Sequence, residues 1–191
     1  MSRLLSALSL CALFVSVLGH AVVTTPTPRA IGSANQAACG TGVYNSLKSD
    51  KTGPIEFAVA KIDSGYNAAA CHLYFCRGLQ FDDNKSNTRK YAAGTVVPFH
   101  VDLVAHHTGR ANVSIVNLAT QKTIGAPLLV WPVYANESLG PSQWPKNETD
   151  FSVTVPNLGS QCATAGACAI QWWWYATSNK QTYQSCVDFT Q

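Results

Sequence analysis

Residues 98–107 have the sequence PFHVDLVAHH, and this stretch decides the fold class. Its apolar members Phe99, Val101 and Leu103 alternate with the polar residues His100 and Asp102. Successive side chains of a strand point to opposite faces of a sheet, so this period of two predicts a half-buried β-strand. Two histidines end the stretch directly before a Thr-Gly turn signal, where a side chain can reach a surface site.

Further short strands are predicted at residues 113–118, 151–155, 169–176 and 183–189. No stretch of the second half has helical periodicity, and turn signals separate the strands. This pattern predicts an all-β protein, an antiparallel β-sandwich with long loops. In the first half, glycines between residues 32 and 53 predict loops, and residues 55–62 predict one short strand.

Residues 1–19 have the three parts of a secretory signal peptide: Arg3, an apolar run over residues 4–18, and Val17 and Gly19 before the junction. We therefore predict that residues 1–19 are removed and that residues 20–191 form a single extracellular domain with a real core. The formal net charge of +3 falls when Arg3 is lost. Since no basic stripe is interleaved with aromatic residues, nucleic acid is not expected as a partner.

Cysteines and glycosylation sequons agree with secretion. One of the seven cysteines, Cys11, lies in the predicted signal peptide. The remaining even number predicts three disulfides of open connectivity, formed by Cys39, Cys71, Cys76, Cys162, Cys168 and Cys186. Four Asn-X-Ser/Thr sequons predict glycosylation, at Asn84, Asn112, Asn136 and Asn147.

The run 172–175, Trp-Trp-Trp-Tyr, has two interpretations. Its aromatic faces could stack on sugar rings. Alternate members of a strand face opposite ways, however, so at least half of the run is expected in the core.

A metal site is predicted at the new amino terminus. Cleavage after Gly19 would give His20 both a free α-amine and an imidazole, which together close a chelate ring on a metal. His106 or His107 could add a second imidazole. Two imidazoles and an amine, the arrangement called a histidine brace, favour copper(II). Strand alternation leaves the choice open, because His107 continues the apolar row of the strand and His106 the polar row.

Three motifs resemble those of the lytic polysaccharide monooxygenases: an amino-terminal histidine, a strand that ends in His-X-Gly, and Gln-X-Tyr-X-X-Cys. They occur here as His20, as His107 to Gly109, and as Gln181 to Cys186. The chain is more similar to the fungal relatives of these enzymes, the lytic polysaccharide monooxygenase-like copper proteins of the cell surface. That resemblance implies an immunoglobulin-like sandwich, a copper(II) brace with an added aspartate ligand, and no oxidative cleavage of polysaccharide.

Matching His-X-Gly residue by residue gives His107 as the second imidazole ligand, with His106 as the alternative. Strand directions suggest which aspartate is meant: Asp150 directly precedes the strand expected to start at the copper end, whereas Asp102 and Asp188 lie too far along theirs. The metal site predicted is therefore His20, His107 and Asp150. Tyr183 is the alternative for the axial position, as in the oxidative enzymes.

The function expected is that of a non-enzymatic, monomeric extracellular copper(II)-binding protein, in copper homeostasis or cell-wall biology. Cell-wall polysaccharide or a membrane copper transporter would be its partner. The alternative is a copper-dependent monooxygenase acting on cell-wall glucan or chitin, and a third possibility is a glycan-binding sandwich without metal. The chain ends at Gln191 without a glycolipid-anchor signal, although relatives of the resembled branch often carry such an anchor.

Overall fold

The computed structural model describes residues 20–191, so the predicted signal peptide, residues 1–19, lies outside the described residues. Eight strands are formed: β1 (Ala21–Thr25), β2 (Arg89–Lys90), β3 (Val96–Leu103), β4 (Gly109–Asn117), β5 (Lys122–Tyr134), β6 (Asp150–Thr154), β7 (Cys168–Ala176) and β8 (Gln181–Thr190). Among the described residues, three α-helices occur before β2: α1 (Ser33–Ser49), α2 (Ile55–Val59) and α3 (Ala68–Cys71). Within residues 20–191, none of the helices has the length and apolar character needed to cross a membrane.

The strands form two sheets, which confirms the predicted immunoglobulin-like β-sandwich. One sheet has the order β1-β3-β6 and the other β2-β8-β7-β4-β5. The described pairs are antiparallel except for the short parallel pair of β2 with β8. In the smaller sheet, Ala21 lies opposite Leu103. The start of β1 therefore lies beside the end of β3.

The core lies between the two sheets, and the alternation in the sequence placed its members correctly. Phe99 and Val101 are buried while His100 is exposed. Trp172 and Trp174 of β7 are fully buried. Trp173 and Tyr175, which alternate with them, are only half-buried and lie on the outer face. Large side chains fully removed from water typically contribute about 1.5–3 kcal/mol each to the free energy of unfolding, so these tryptophans help to hold the sheets together.

The first half of the chain corrects two expectations. The glycine-rich region contains the helix α1, which changes direction at Gly40 (φ 80°). No local side chain caps this helix; instead the Asp83 carboxylate accepts hydrogen bonds from the backbone N–H groups of Ala34 and Asn35 (2.9 and 2.8 Å). An anion at a helix amino terminus is stabilising, and this one comes from distant sequence. Residues 55–59 are helix α2 rather than a strand.

Three disulfides form among residues 20–191, as the cysteine count predicted. They join Cys39 with Cys71, Cys76 with Cys186, and Cys162 with Cys168. Cys71 and Cys76 thus belong to different bridges that leave a common loop. The Cys76–Cys186 bridge joins the helical segment, residues 33–88, to β8 over a sequence separation of 110 residues. In the loop-entropy model a bridge of that span contributes roughly 4–5 kcal/mol.

The side chain of the first predicted glycosylation site, Asn84, is buried. The Asn84 residue is only 3% exposed. Its Nδ2, the atom that would carry a glycan, donates hydrogen bonds to the carbonyls of Ala30 and Gln80 (2.9 and 2.8 Å). A buried amide that bridges two segments leaves no room for a sugar in this fold, so the burial disfavours the glycan predicted at Asn84.

Candidate metal site

His20 is positioned by the backbone of the smaller sheet. Its carbonyl oxygen accepts hydrogen bonds from the N–H groups of Val104 and Ala105 (2.8 and 3.4 Å). The next two residues along the chain are His106 and His107. Backbone pairing therefore brings the residue predicted to become the amino terminus beside the two candidate histidines.

The imidazole of His20 contacts the carboxylate of Asp50. The distance from Nε2 to Oδ2 is 3.0 Å. The other carboxylate oxygen accepts hydrogen bonds from the backbone and hydroxyl of Thr52 and from the backbone of Gly53 (3.0, 3.0 and 2.8 Å). Burial raises the pKa of the Asp50 carboxyl, but these hydrogen bonds and His20 outweigh it, so that the pKa lies below its ordinary value of 3.8.

The segment that carries Asp50 is held by Arg77. The Arg77 guanidinium donates hydrogen bonds to the backbone carbonyls of Asp50 and Gly53 (2.7 and 2.8 Å) and also to that of Lys51. Arg77 is 7% exposed, and burial lowers the pKa of its guanidinium to about 10. The planar guanidinium donates to three backbone carbonyls at once, so a buried cation holds the segment of Asp50 in place.

His107 is oriented by Glu137, which lies between β5 and β6. The distance from His107 Nδ1 to Glu137 Oε2 is 3.4 Å. The same oxygen accepts a hydrogen bond from the Ser178 hydroxyl (3.1 Å), and the Glu137 N–H donates to the Thr108 hydroxyl (3.1 Å). The second ring nitrogen, His107 Nε2, is buried and has no hydrogen-bond partner among the described residues. An unpaired buried polar atom costs free energy unless a ligand takes it up.

His106 faces a different neighbour. Its ring stacks on Trp144, with 3.8 Å between the centroids and 16° between the planes. Burial, followed by the neighbouring His107, lowers the pKa of His106. Trp144 belongs to the same loop as Glu137, residues 135–149. The Tyr134 hydroxyl closes the base of this loop by donating to the carbonyl of Glu148 (2.7 Å).

Asp150 lies opposite His100 in the pairing of β3 with β6. Its carboxylate binds His100 Nδ1 at 2.7 Å and accepts a hydrogen bond from the Thr149 hydroxyl at 2.9 Å. His100 precedes Val104, which pairs with His20, by four residues, or roughly 13 Å of strand. The carboxylate that the structure brings to His20 is therefore Asp50, and the assignment of Asp150 to the metal stays a prediction.

Tyr183 is a core residue near the start of β8, whereas Asp188 lies five residues further along the same strand. Tyr183 is 1% exposed, stacks on Trp174 at 4.4 Å, and its hydroxyl donates to Gln181 Oε1 at 2.7 Å. Burial raises the pKa of Tyr183, and the charge of Asp50 adds to this effect. Asp188 forms a buried bidentate ion pair with Arg29 (2.8 and 2.7 Å).

The donor set fits a histidine brace better than a site made only of side chains. In the part of the chain that the structure describes, no three His, Cys, Asp or Glu side chains converge to hold a metal. A brace needs only two imidazoles and the terminal amine. An amine and its own imidazole close a six-membered ring through Nδ1, and the Nε2 of His20 is the atom that binds Asp50. His107 in turn leaves Nε2 for a metal and keeps Nδ1 on a carboxylate, a common outer-shell arrangement.

Asp50, Glu137, Arg77 and Trp144 were missed by reasoning from the sequence. Asp50 does show a local turn signal, because Asp-X-Thr-Gly is a pattern in which the side chain binds its own backbone. Nothing in the sequence connects that turn with His20, 30 residues away. Glu137 lies inside the sequon 136–138, which drew attention to the neighbouring asparagine instead.

Comparisons with known proteins point to one family. A family described as lytic polysaccharide mono-oxygenase, cellulose-degrading, matches residues 20–189. No curated protein gave a significant match. Among solved structures, an AA10 lytic polysaccharide monooxygenase from Streptomyces lividans is 18% identical (TM-score 0.36; 55% of this chain). The chain spans 59% of the length of that enzyme.

Two further structures align over more of the chain. A chitin-binding domain from Burkholderia pseudomallei is 12% identical, with a TM-score of 0.41 and coverage of 90% of this chain and 100% of the other. A CBM33 protein from Bacillus amyloliquefaciens, solved with Cu(I) after photoreduction, is also 12% identical, with a TM-score of 0.39 and coverage of 92% and 78%.

Proposed function

Because the chain belongs to the lytic polysaccharide mono-oxygenase family, we propose that it is a secreted protein that binds copper(II) at an amino terminus created before His20. Members of this family are copper-dependent polysaccharide monooxygenases. The proposal is supported by the family and by the backbone hydrogen bonds of His20 with Val104 and Ala105, the residues directly before His106 and His107. Secretion is supported by the apolar segment 4–18 and by three disulfides, which persist in oxidising compartments.

The proposed ligands are the α-amine and Nδ1 of His20 and Nε2 of His107. One observation carries this choice: His107 Nε2 is buried without a partner while Nδ1 faces Glu137. His106 is the weaker candidate, because its ring is stacked on Trp144. Asp50 and Glu137 would hold the two rings in the tautomers that leave these nitrogens available.

Copper(II) is proposed as cargo that the protein carries, buffers or presents outside the cell. The burial around His107 supports a binding role over the oxidation of a polymer. Its side chain is 14% exposed and its ligand nitrogen is buried. A polymer-oxidising site must present its metal to a glycan chain. A membrane copper transporter is the proposed recipient of the ion.

The second candidate is a copper-dependent monooxygenase that acts on cell-wall glucan or chitin. The family match favours it. Bound copper would supply the redox chemistry that activates oxygen at such a site. The contribution of the chain itself would be to hold the ring of His20 through Asp50 and to keep Tyr183 protonated beside the site.

Copper titration of two matched forms tests the copper site. One form begins at His20 and the other carries one extra glycine before it. We expect the extended form to lose most of its copper(II) affinity, because the backbone nitrogen of His20 is then part of a peptide bond. His107→Ala should abolish the brace, so that the nitrogen coupling of the second imidazole is lost in electron paramagnetic resonance, and His106→Ala should only weaken binding. His100→Ala, which removes an exposed histidine paired with Asp150, is the matched control and should bind normally.

Product analysis separates the two candidate functions. The copper-loaded mature protein is incubated with glucan, chitin or cellulose and a reductant. No oxidised oligosaccharide is expected for a copper carrier. Oxidised products that disappear in His107→Ala would instead favour the monooxygenase. Equal copper affinity of the mature and extended forms would contradict both functions.

A further inference from the structure

The outer face of the larger sheet is covered over only part of its width. At β8 the helical segment lies on it: the Gln184 side chain donates to the carbonyl of Tyr74 (2.8 Å) and accepts from the N–H of Arg77 (3.0 Å). The Thr182 N–H likewise donates to the Glu56 carboxylate of α2 (2.8 Å). Toward β4 and β5 the outer face is open, as the 54% exposure of Val130 shows.

Asn112 lies at the centre of this open part. In the register of the sheet it is directly opposite Val130 of β5 on one side and Trp173 of β7 on the other. Residues directly opposite one another in antiparallel strands have neighbouring side chains on the same face. Val130, Asn112 and Trp173 therefore form one row across three strands.

The row continues along β7 as an aromatic surface. The rings of Trp173 and Tyr175 have centroids 6.3 Å apart and planes 24° apart. The guanidinium of Arg110 lies over the Trp173 ring at 5.9 Å from its centroid. An apolar and aromatic patch in the middle of a sheet face usually has an occupant.

The sequence supplies an occupant at this point, because Asn112, Val113 and Ser114 form a sequon. We propose that Asn112 carries an N-linked glycan whose first N-acetylglucosamine covers Trp173 and Val130. The sugar ring has an apolar face that packs on an indole, while its hydroxyls remain in water. The proposal rests on the secretion included in the proposed function. Asn84 forms the contrast, because its Nδ2 is buried and bonded to two carbonyls.

The modification is an ordinary group transfer from a polyprenyl pyrophosphate-linked oligosaccharide. A bond forms between Asn112 Nδ2 and C1 of the first sugar, and the bond from C1 to the pyrophosphate oxygen breaks. One amide proton is lost from Nδ2, and the lipid pyrophosphate leaves.

Glycopeptide mass spectrometry tests the modification. The full chain with its own residues 1–19 is secreted from a eukaryotic host. We expect Asn112 to carry a glycan and Asn84 to carry none. Secreted protein that begins at His20 but has an unmodified Asn112 would overturn the glycan proposal and leave secretion intact. Absence of the protein from the medium would instead contradict the proposed secretion.

Stepwise trimming tests the packing. One portion is treated with an endoglycosidase that leaves a single N-acetylglucosamine, and another portion carries Asn112→Gln. The single sugar should keep the melting temperature of the intact glycoprotein, and the variant should melt about 2–4 °C lower. Asn147→Gln, which removes an exposed sequon far from the patch, should leave the melting temperature unchanged.

A double-mutant cycle assigns the contact to the indole. In a Trp173→Ala background, loss of the Asn112 glycan should change the melting temperature by less than half as much as in the wild-type background. An equal change in both backgrounds would show that the sugar does not pack on Trp173. Trp173→Phe retains a ring and should restore most of the effect.

Discussion

The two halves of the candidate metal site are held in different ways. On the His20 side, the Asp50 carboxylate is fixed by three local hydrogen bonds, and its backbone segment by the buried guanidinium of Arg77. On the His107 side, the partner Glu137 has a 47% exposed side chain and lies 3.4 Å from the imidazole. The Asp50 side chain is itself 35% exposed but its segment is anchored by a buried cation, whereas Glu137 lies in a surface loop.

The two supports therefore differ in what they contribute: one stabilises the fold as well as the site, and the other can move at little cost. A support that includes a buried cation cannot move without leaving carbonyls unpaired, so it also stabilises the chain. A support on an exposed loop costs little when it moves. We therefore expect changes on the His20 side to affect both folding and metal binding, and changes on the His107 side to affect metal binding alone.

The largest effect on stability is expected for Arg77→Ala, on the His20 side. It leaves the carbonyls of Asp50, Lys51 and Gly53 without their donor, which should cost roughly 3 kcal/mol of unfolding free energy in total. For a chain of this size the melting temperature should fall by about 6–12 °C, as calorimetry would show. Arg89→Ala, at an exposed arginine of β2, is the control and should change little. A stable Arg77→Ala protein would mean that the segment holds itself.

Asp50→Ala should lower both the copper(II) affinity and the melting temperature, and the fall in melting temperature should be smaller than that of Arg77→Ala. Removing an outer-shell carboxylate typically lowers metal affinity about 10- to 100-fold, because the ring loses its orientation. Isothermal titration with copper(II) of the form beginning at His20 measures this. The turn around Thr52 also loses its acceptor, so that a fall in melting temperature of about 2–4 °C is expected. Unchanged copper affinity would separate Asp50 from the site.

The pH dependence of stability tests whether the ionised Asp50 carboxylate stabilises the fold. The folded-state pKa of Asp50 lies below its ordinary value of 3.8. A group with a lowered pKa contributes stability above its unfolded pKa and loses it as pH falls through the folded value. The difference in melting temperature between wild type and Asp50→Asn, both free of metal, should therefore be full at pH 6 and shrink below about pH 4. A difference that grows in acid would contradict a lowered folded-state pKa of Asp50.

Glu137→Gln should lower copper affinity about 10-fold with no measurable change in melting temperature. The amide retains the shape of the side chain but no longer selects the His107 tautomer with a proton on Nδ1. Nitrogen-15 spectra of labelled histidine would report the tautomer of the metal-free protein. A large loss of stability in this variant would contradict the contrast between the two supports.

The smallest effect is expected for Asp150→Asn. Its carboxylate is exposed and binds His100, so copper(II) affinity should remain within about twofold of wild type. Electron paramagnetic resonance of the two copper-loaded proteins would compare the ligand sets. A changed spectrum would place Asp150 at the metal, as the strand directions had suggested, and would give the aspartate a direct role.

How much could be predicted from sequence depended on whether the signal was local. Phe99 was placed on the apolar side of its strand, and half of the run 172–175 in the core, because strand alternation needs only neighbouring residues. Helix α1 was missed because it contains Gly40, and because its cap comes from Asp83 rather than from the residue before it. The direction of the strand that Asp150 begins agrees with its antiparallel pairing with β3, but no local signal sets which residue lies opposite His100, and the assignment of Asp150 to the metal stays a prediction. A shift of a few residues moves a side chain out of reach of a metal.

The cap of α1 by Asp83 bears on the order in which the chain folds. A helix of 17 residues that is interrupted at Gly40 and lacks its own cap has little stability alone in water. Its first turn becomes favourable only after the segment around Asp83 has arrived, 48 and 49 residues further along the chain. We therefore expect helix α1 to become ordered only together with the segment around Asp83. Because Asp50 directly follows α1, the support for His20 is expected to depend on the same long-range contact.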